Sequence, residues 1–164
     1  MCGILFMITF ALLNVCLFME KKQESTGNEF FQWDKACETG IAKIDVQHRV
    51  IVKILNDLYD IVIGDKEEEK MKDIIHELVQ YTIYHFGEEE KLFKKYGFPL
   101  EKEHKEEHQK FINKVKESVR LVEEDKGMVA LELITFLKDW LTEHIMITDG
   151  KYAEYFKQKN IIVE

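Results

Sequence analysis

The stretch YTIYHFGEEEKLFKKYGFP (residues 81–99) runs into EKEHKEEHQKF (residues 101–111), and these two segments decide the fold. Positions 82, 85, 89 and 92 of the first segment, and 104, 108 and 111 of the second, follow the three-four spacing of one helix face. Gly97 and Pro99 stand between them, and a glycine followed by a proline is typical of the end of a helix. The pattern predicts two successive helices joined by a tight turn, which makes them antiparallel neighbours.

Both segments carry polar side chains in pairs. His85 and Glu89 are four residues apart, and so are His104 and His108. Residues at this spacing lie one above the other on the same helix face. Each helix is therefore expected to present a chelating pair in one direction.

Four amphipathic runs follow one another along the chain. They extend from Asp45, a residue suited to an N-cap, to the interruption at Gly64, and over residues 66–96, 100–124 and 128–148. Gly150 predicts a helix break before a short tail over residues 152–157. One proline in the whole chain and short connections predict an all-α fold, an up-down-up-down antiparallel four-helix bundle. Its inward stripes hold Val46, Ile51, Leu55, Leu58, Val62, Met71, Ile75, Leu78, Thr82, Leu92, Phe111, Val115, Val119, Val122, Leu133, Leu137 and Leu141.

Five of the six histidines occupy positions on these stripes where the spacing calls for an apolar residue. A single core histidine is more often a structural residue than a ligand. Several buried polar groups in one small core are strongly destabilising unless they meet a common partner, and a metal centre is such a partner. The sixth, His76, lies on a mainly polar face and is expected at the surface. The five inward histidines are His48, His85, His104, His108 and His144.

The last helix carries a different spacing. His144 and Asp149 are five residues apart, which is about 140° around an ideal helix. Two such side chains cannot bind one ion side by side without distortion. We expect either a locally widened turn here or an aspartate that reaches across to bridge two ions.

In these motifs the chain closely resembles the hemerythrin family, specifically its bacterial single-domain type, from Asn28 to the C-terminus. The resemblance rests on the two segments quoted above and on QWDKACETGIAKIDVQHRVIV and WLTEHIMITDGKYAEYF, which supply the family's H, HxxxE, HxxxH and HxxxxD elements in order. It implies two non-haem irons with an oxo or hydroxo bridge. One would be bound by His104, His108 and His144, the other by His48 and His85, with Glu89 and Asp149 bridging both.

The resemblance also implies a function. If both irons take six ligands and share an oxygen bridge, the iron with two histidines keeps one vacant position, where dioxygen would bind reversibly. The chain is then an oxygen carrier, store or supplier and not an enzyme. Oxygen, redox or nitric oxide sensing through the same site remains an alternative. A di-iron oxidase or ferritin-like iron store is less favoured, because such bundles use two ExxH pairs and only Glu101 and His104 form one here.

Bound oxygen is best protected in a dry pocket. Phe86, Leu141 and Ile145 lie next to the ligand positions or one turn away and are candidates for its walls, although plain core packing explains them equally well. Trp33, Trp140 and Tyr152 also match family positions, and a structural or supporting role is expected for them.

The N-terminus differs from the rest of the chain. Residues 1–19 carry no charged side chain, and Lys21 and Lys22 come shortly after them. This segment is expected to be either a short membrane anchor or an over-extended translation start. Residues 20–27 are then a linker, and residues 28–164 form the hemerythrin-like domain. An anchor would leave the bundle on the cytoplasmic side of the inner membrane, and a cytoplasmic location is expected in either case.

The net charge of −8 disfavours nucleic acid as a partner. Three cysteines without CxxC spacing predict no disulfide framework, and Cys37 is expected to be buried filler.

Overall fold

A computed structural model describes residues 29–64, 68–124 and 128–163. Within these ranges the chain is helical and contains no strand. The interpretations of residues 1–19 and 20–27 lie outside the described part. None of the described helices combines the length and apolar character needed to cross a membrane. The helices are α1 (Ala42–Ile63), α2 (Glu68–Tyr96), α3 (Glu101–Glu124), α4 (Met128–Glu143) and α5 (Asp149–Gln158), with a short 3₁₀ helix, Lys35–Cys37, before α1 and a π-helical turn, His144–Thr148, between α4 and α5.

The four long helices form a closed ring of contacts. Helix α1 lies against α2 and α4, and α3 lies against α2 and α4. The connections between successive helices are a few residues long, so neighbours run antiparallel. Gly97 ends α2 with a φ of 65°, and the amide of Phe98 donates to the carbonyl of Phe93 at 3.1 Å, as in a glycine C-cap. The predicted up-down-up-down four-helix bundle is confirmed.

Two apolar clusters hold the bundle together. The larger runs along most of its length and includes Leu55, Leu78, Phe111 and Leu137, with Cys37 buried at one edge as expected. The smaller one fills the end where α2 meets α5; it contains Ile44, Phe93, Phe98, Tyr152 and Phe156. Each fully buried aliphatic or aromatic side chain contributes roughly 1.5–3 kcal/mol. The bundle therefore has a stable apolar frame on both sides of any polar site between them.

Two expectations about α1 were wrong. Asp45 is not the N-cap, because the helix begins at Ala42 and the Asp45 amide already bonds to the Ile41 carbonyl at 2.9 Å. Its carboxylate instead accepts from the amide and hydroxyl of Thr39, both at 2.7 Å, and so ties down the turn that leads into the helix. Val46 is 61% exposed, because it lies two residues from the buried Ile44 and therefore on the opposite side of the helix.

The predicted break at Gly150 was also wrong. Gly150 lies inside α5, and the helical path continues through residues 152–157, which had been expected to form a tail. Burial of Tyr152 and Phe156 in the smaller cluster outweighs the roughly 1 kcal/mol penalty of a helical glycine. The widened turn expected between His144 and Asp149 is confirmed, because His144–Thr148 is π-helical. One extra residue in this turn keeps the chain helical while it changes the direction of the side chains that follow.

Candidate metal centre

All seven residues predicted as metal ligands meet in one place, between the two apolar clusters. They come from α1, α2 and α3, from the π turn that follows α4, and from α5. Each is at most 3% exposed. His76, by contrast, is exposed on α2, as expected. The seven are His48, His85, Glu89, His104, His108, His144 and Asp149.

The seven side chains form two overlapping groups, and in each group the ligand atoms lie within 4.8 Å of one another. Glu89 belongs to both groups, as expected of a carboxylate that binds two metal ions at once. One group adds three histidines from α3 and the π turn, and the other adds two histidines and an aspartate. The groups are Glu89 with His104, His108 and His144, and Glu89 with His48, His85 and Asp149.

Asp149 also faces both groups. Its Oδ2 lies 3.1 Å from Nε2 of His48 in one group. Its Oδ1 lies 3.3 Å from Nε2 of His104 and 3.2 Å from Nε2 of His144 in the other. The π turn makes this possible, because on an ideal helix His144 and Asp149 would point about 140° apart.

The donor atoms at the centre of the cluster lack ordinary partners. The Nε2 atoms of His104, His108 and His144, both carboxylate oxygens of Asp149 and Oε2 of Glu89 are buried and make no well-directed hydrogen bond to any described residue. The Nε2 atoms of His48 and His85 face each other at 3.1 Å. Buried polar atoms are normally satisfied, so this convergence of lone pairs requires a shared electron-pair acceptor. Two divalent cations of a metal that accepts imidazole and carboxylate ligands fit the donor set.

The protonation states of three of the five histidines agree with this fit. Burial lowers the pKa of His85 to about 3, and it lowers the pKa of His48 and, more strongly, of His144. These imidazoles are therefore neutral at pH 7 and can donate their lone pairs. Burial and the adjacent charge of Glu89 raise the pKa of Asp149 well above its ordinary value. Two carboxylates this close in a dry core resist being charged together unless a cation lies between them.

Two of the histidines are held on their outer nitrogen. Oε1 of the buried Gln47 lies 3.0 Å from Nδ1 of His85 and accepts a hydrogen bond from the Nδ1–H group, so the lone pair of that ring is on Nε2, facing the cluster. Glu90 lies 3.3 Å from Nδ1 of His108 and is itself paired with Lys105 at 3.3 Å. Such partners fix the tautomer and the orientation of a ligating imidazole.

Aromatic rings enclose the cluster. Phe86 stacks on His108 with a centroid distance of 3.7 Å, and Trp140 stacks on His144 at 4.1 Å. Phe93 contacts His104 edge-on at 4.6 Å. Leu141 and Ile145 are buried in the larger apolar cluster beside them. The cluster therefore lies in an apolar environment, in which polar atoms without partners are most costly.

Comparison with known proteins agrees with this geometry. The family model described as "Hemerythrin HHE cation binding domain" matches residues 39–156, which is most of the chain. The protein belongs to the hemerythrin family. It is 40% identical over 124 residues to the bacteriohemerythrin of Pseudomonas aeruginosa, covering 74% of this chain and 78% of that protein. It is 34% identical over 128 residues to the bacteriohemerythrin of Clostridium acetobutylicum, covering 76% and 99%, respectively.

More distant members of the family are also similar to this chain. The myohemerythrin of Theromyzon tessulatum is 31% identical over 124 residues, covering 76% of this chain and 92% of that one. A solved hemerythrin with a leucine-to-tyrosine substitution superposes with a TM-score of 0.70 at 24% identity, over 77% of this chain and 97% of that chain. The structural match supports the fold.

Sequence reasoning missed two members of this site, Gln47 and Glu90. Each directly precedes or follows a predicted ligand along the chain, and adjacency gives only a weak signal. Gln47 gave one further weak signal, because it is a polar residue next to the inward stripe of α1.

Tyr152, which was expected to have a supporting role, makes a specific contact. Its hydroxyl donates to Oε1 of Glu89 at 2.7 Å. Burial and that carboxylate raise the pKa of Tyr152 well above its ordinary value, so the hydroxyl remains a donor.

Replacing Tyr152 with phenylalanine is expected to weaken iron binding by about 10–100-fold while leaving the fold intact, because the ring stays in place and only the donor to Glu89 is lost. Competition with a chelator of known affinity measures the change. Tyr155→Phe is the matched control, since its hydroxyl bonds to the carbonyl of Gly97 at 2.9 Å, away from the cluster. Equal iron affinities for the two variants would contradict the role assigned to Tyr152.

Proposed function

We propose that this protein binds dioxygen reversibly at two non-haem iron ions in the core of its bundle, as an oxygen carrier, store or supplier. The observation that carries the proposal is the convergence of seven buried donor side chains, five of which have inward-facing donor atoms that make no well-directed hydrogen bond to any described residue. In this proposal one iron is bound by His104, His108 and His144, and the other by His48 and His85. Glu89 and Asp149 are shared.

The donor set supports iron and an open position. Imidazole and carboxylate are ligands that ferrous and ferric iron both accept. With both carboxylates shared, the chain supplies five ligands to one ion and four to the other, so the second ion has more room for an external ligand. A pair of ferrous ions held there would supply two electrons and an open coordination position, which is the chemistry that reversible dioxygen binding needs.

The chain's own residues then have defined tasks. Gln47 and Glu90 keep the imidazoles of His85 and His108 turned inward, with their lone pairs on Nε2. The Tyr152 hydroxyl holds one oxygen of Glu89, which leaves the other facing the histidines.

Apolar side chains exclude water from the side of the site that faces the larger apolar cluster. Phe86, Leu141 and Ile145 are each at most 3% exposed and belong to one packed cluster. Water and protons promote the irreversible oxidation of a reduced metal site, so a dry wall favours reversible binding. The wall role predicted for these three residues agrees with their position, and they also serve the core as ordinary packing residues.

The ligand balance favours binding over oxygen activation. Five neutral imidazoles and two carboxylates place less negative charge on the metals than the four-glutamate sets of ferritin-like di-iron proteins. Fewer anionic ligands stabilise high-valent iron less well. We therefore expect the oxygen-bound state to release its ligand unchanged.

The test is to add dioxygen to the anaerobic, iron-reconstituted protein and to record the visible spectrum. A charge-transfer band that appears with oxygen and disappears under argon over repeated cycles is the expected result. Rapid irreversible oxidation in the first cycle would instead indicate sensing or catalysis at the same centre. A chain that binds no iron under these conditions would contradict the proposal altogether.

A further inference from the structure

A cavity of about 430 Å³ opens on one side of the centre. It lies between the start of α3 and the junction of α4 with the π turn. Apolar side chains form part of its wall, namely Phe98, Leu100, Trp140 and Ile147. A cavity of this size admits a hydrated ion or a small molecule.

The inner wall of the cavity belongs to the metal centre. His104 and His144 both line it, and both are members of the three-histidine group. The residues of the other group that are not shared, His48 and His85, do not line it. The cavity therefore ends at side chains of one defined half of the centre, whose Nε2 atoms are buried behind it.

Carboxylates surround the mouth of this cavity. Glu103, Glu107 and Glu143 line it, together with a single cationic residue, Lys151. Glu107 is paired with Lys110 at 2.7 Å, whereas Glu103 and Glu143 are exposed at the rim. With Glu107 paired, two acids against one base on the wall of a concave surface raise the local concentration of cations.

A second, independent feature points inward to a cation. His104 is 2% exposed, and neither of its ring nitrogens makes a well-directed hydrogen bond to any described residue. The imidazoles of His85 and His108 are instead held on Nδ1 by Gln47 and Glu90. No hydrogen bond fixes the tautomer of the His104 ring, so either of its nitrogens can present a lone pair to an arriving cation. An unclamped imidazole can offer a nitrogen to the cavity and then to the cluster.

We propose that this cavity is the route by which ferrous ions reach the metal centre, with Glu103 and Glu143 attracting the hydrated ion at the mouth and His104 passing it inward. The ion enters as Fe²⁺ and leaves as Fe²⁺, so no electron is transferred along the route. The assignment rests on the proposed function, because it supposes that the seven-residue cluster holds iron.

The charge at the mouth is tested by the rate of iron uptake. The metal-free full-length chain is mixed anaerobically with ferrous ion, and uptake is followed by quenching of the fluorescence of Trp140, which stacks on His144. The double variant Glu103→Gln/Glu143→Gln is expected to load at least about fivefold more slowly at low ionic strength, with the difference shrinking as salt is added. The double variant Glu117→Gln/Glu132→Gln makes the same change of net charge away from the cavity and should load at the wild-type rate.

The width of the cavity is tested separately. Leu100→Phe places a bulky ring in the wall at a position that is 41% exposed without adding another fluorescent tryptophan, and it should slow uptake at every ionic strength. Leu131→Phe is the matched control, because Leu131 is 52% exposed and lies outside the cavity. Helical content and final iron stoichiometry should equal those of the wild type in all four variants.

The outcomes separate the two proposals. If the wild-type chain binds no iron at equilibrium, the proposed function is wrong. If it binds iron fully while both cavity variants load as fast as their controls, iron enters elsewhere and only the uptake route is wrong. Slower loading in both cavity variants, with unchanged final stoichiometry, supports the route.

Discussion

Glu89→Gln is expected to reduce the iron content from two ions per chain to one or fewer, and to abolish the reversible visible band. Glu89 is the member common to both groups of ligand atoms, so its loss affects both metal positions at once. Glutamine has nearly the same shape but lacks the negative charge that a bridging carboxylate provides between two cations. Loss of residues that merely support a ligand costs about 10–100-fold in metal affinity, so loss of a shared ligand should cost more than about 100-fold. Iron analysis after gel filtration measures the result.

The neighbouring residue supplies the control for this variant. Glu88 lies outside the cluster and pairs with Lys43 and Lys91 on the surface. Exposed ion pairs of this kind contribute about 0–1 kcal/mol, so Glu88→Gln should bind two irons and oxygen normally. If Glu89→Gln retained two irons with a normal oxygen spectrum, the shared-carboxylate assignment would have to be abandoned.

The inward positions could be predicted because helical spacing determines which residues share a face. His48 follows the same stripe as Ile44 and Ile51, and both of these are buried as the spacing requires. The five-residue separation of His144 and Asp149 likewise required a local distortion, and the π turn provides it. Spacing within one helix carries this information, so it is readable without a structure.

Contacts between helices could not be predicted in the same way. Gln47 on α1 contacts His85 on α2. Such a contact depends on how the two helices are rotated about their axes and shifted along them. The error at Gly150 has a related cause, since burial of Tyr152 and Phe156 keeps the chain helical where local propensity favours a stop. In both cases tertiary packing decides the outcome.

The cluster and the apolar frame make opposite contributions to stability. Apolar residues on both sides bury enough surface to fold the bundle, whereas seven polar side chains in the core oppose folding when they lack partners. Phe86 and Phe93, from the two apolar clusters, contact histidines of the site directly. The site cannot relax by admitting water without disturbing this packing. Bound metal should therefore contribute strongly to the stability of the native state.

Removal of iron is accordingly expected to lower the melting temperature by about 15 °C or more while leaving the bundle folded at room temperature. Metal that binds only to the folded state adds its binding free energy to the free energy of unfolding. A conservative contribution of about 5 kcal/mol gives that shift, because the melting temperature of a domain of this size changes by about 3 °C per kcal/mol. Thermal unfolding followed by circular dichroism, with and without a chelator, measures it. Glu89→Gln should show little further loss on chelation, because it holds little iron to lose. A wild-type melting temperature unaffected by complete removal of iron would mean that the buried donors are satisfied without metal.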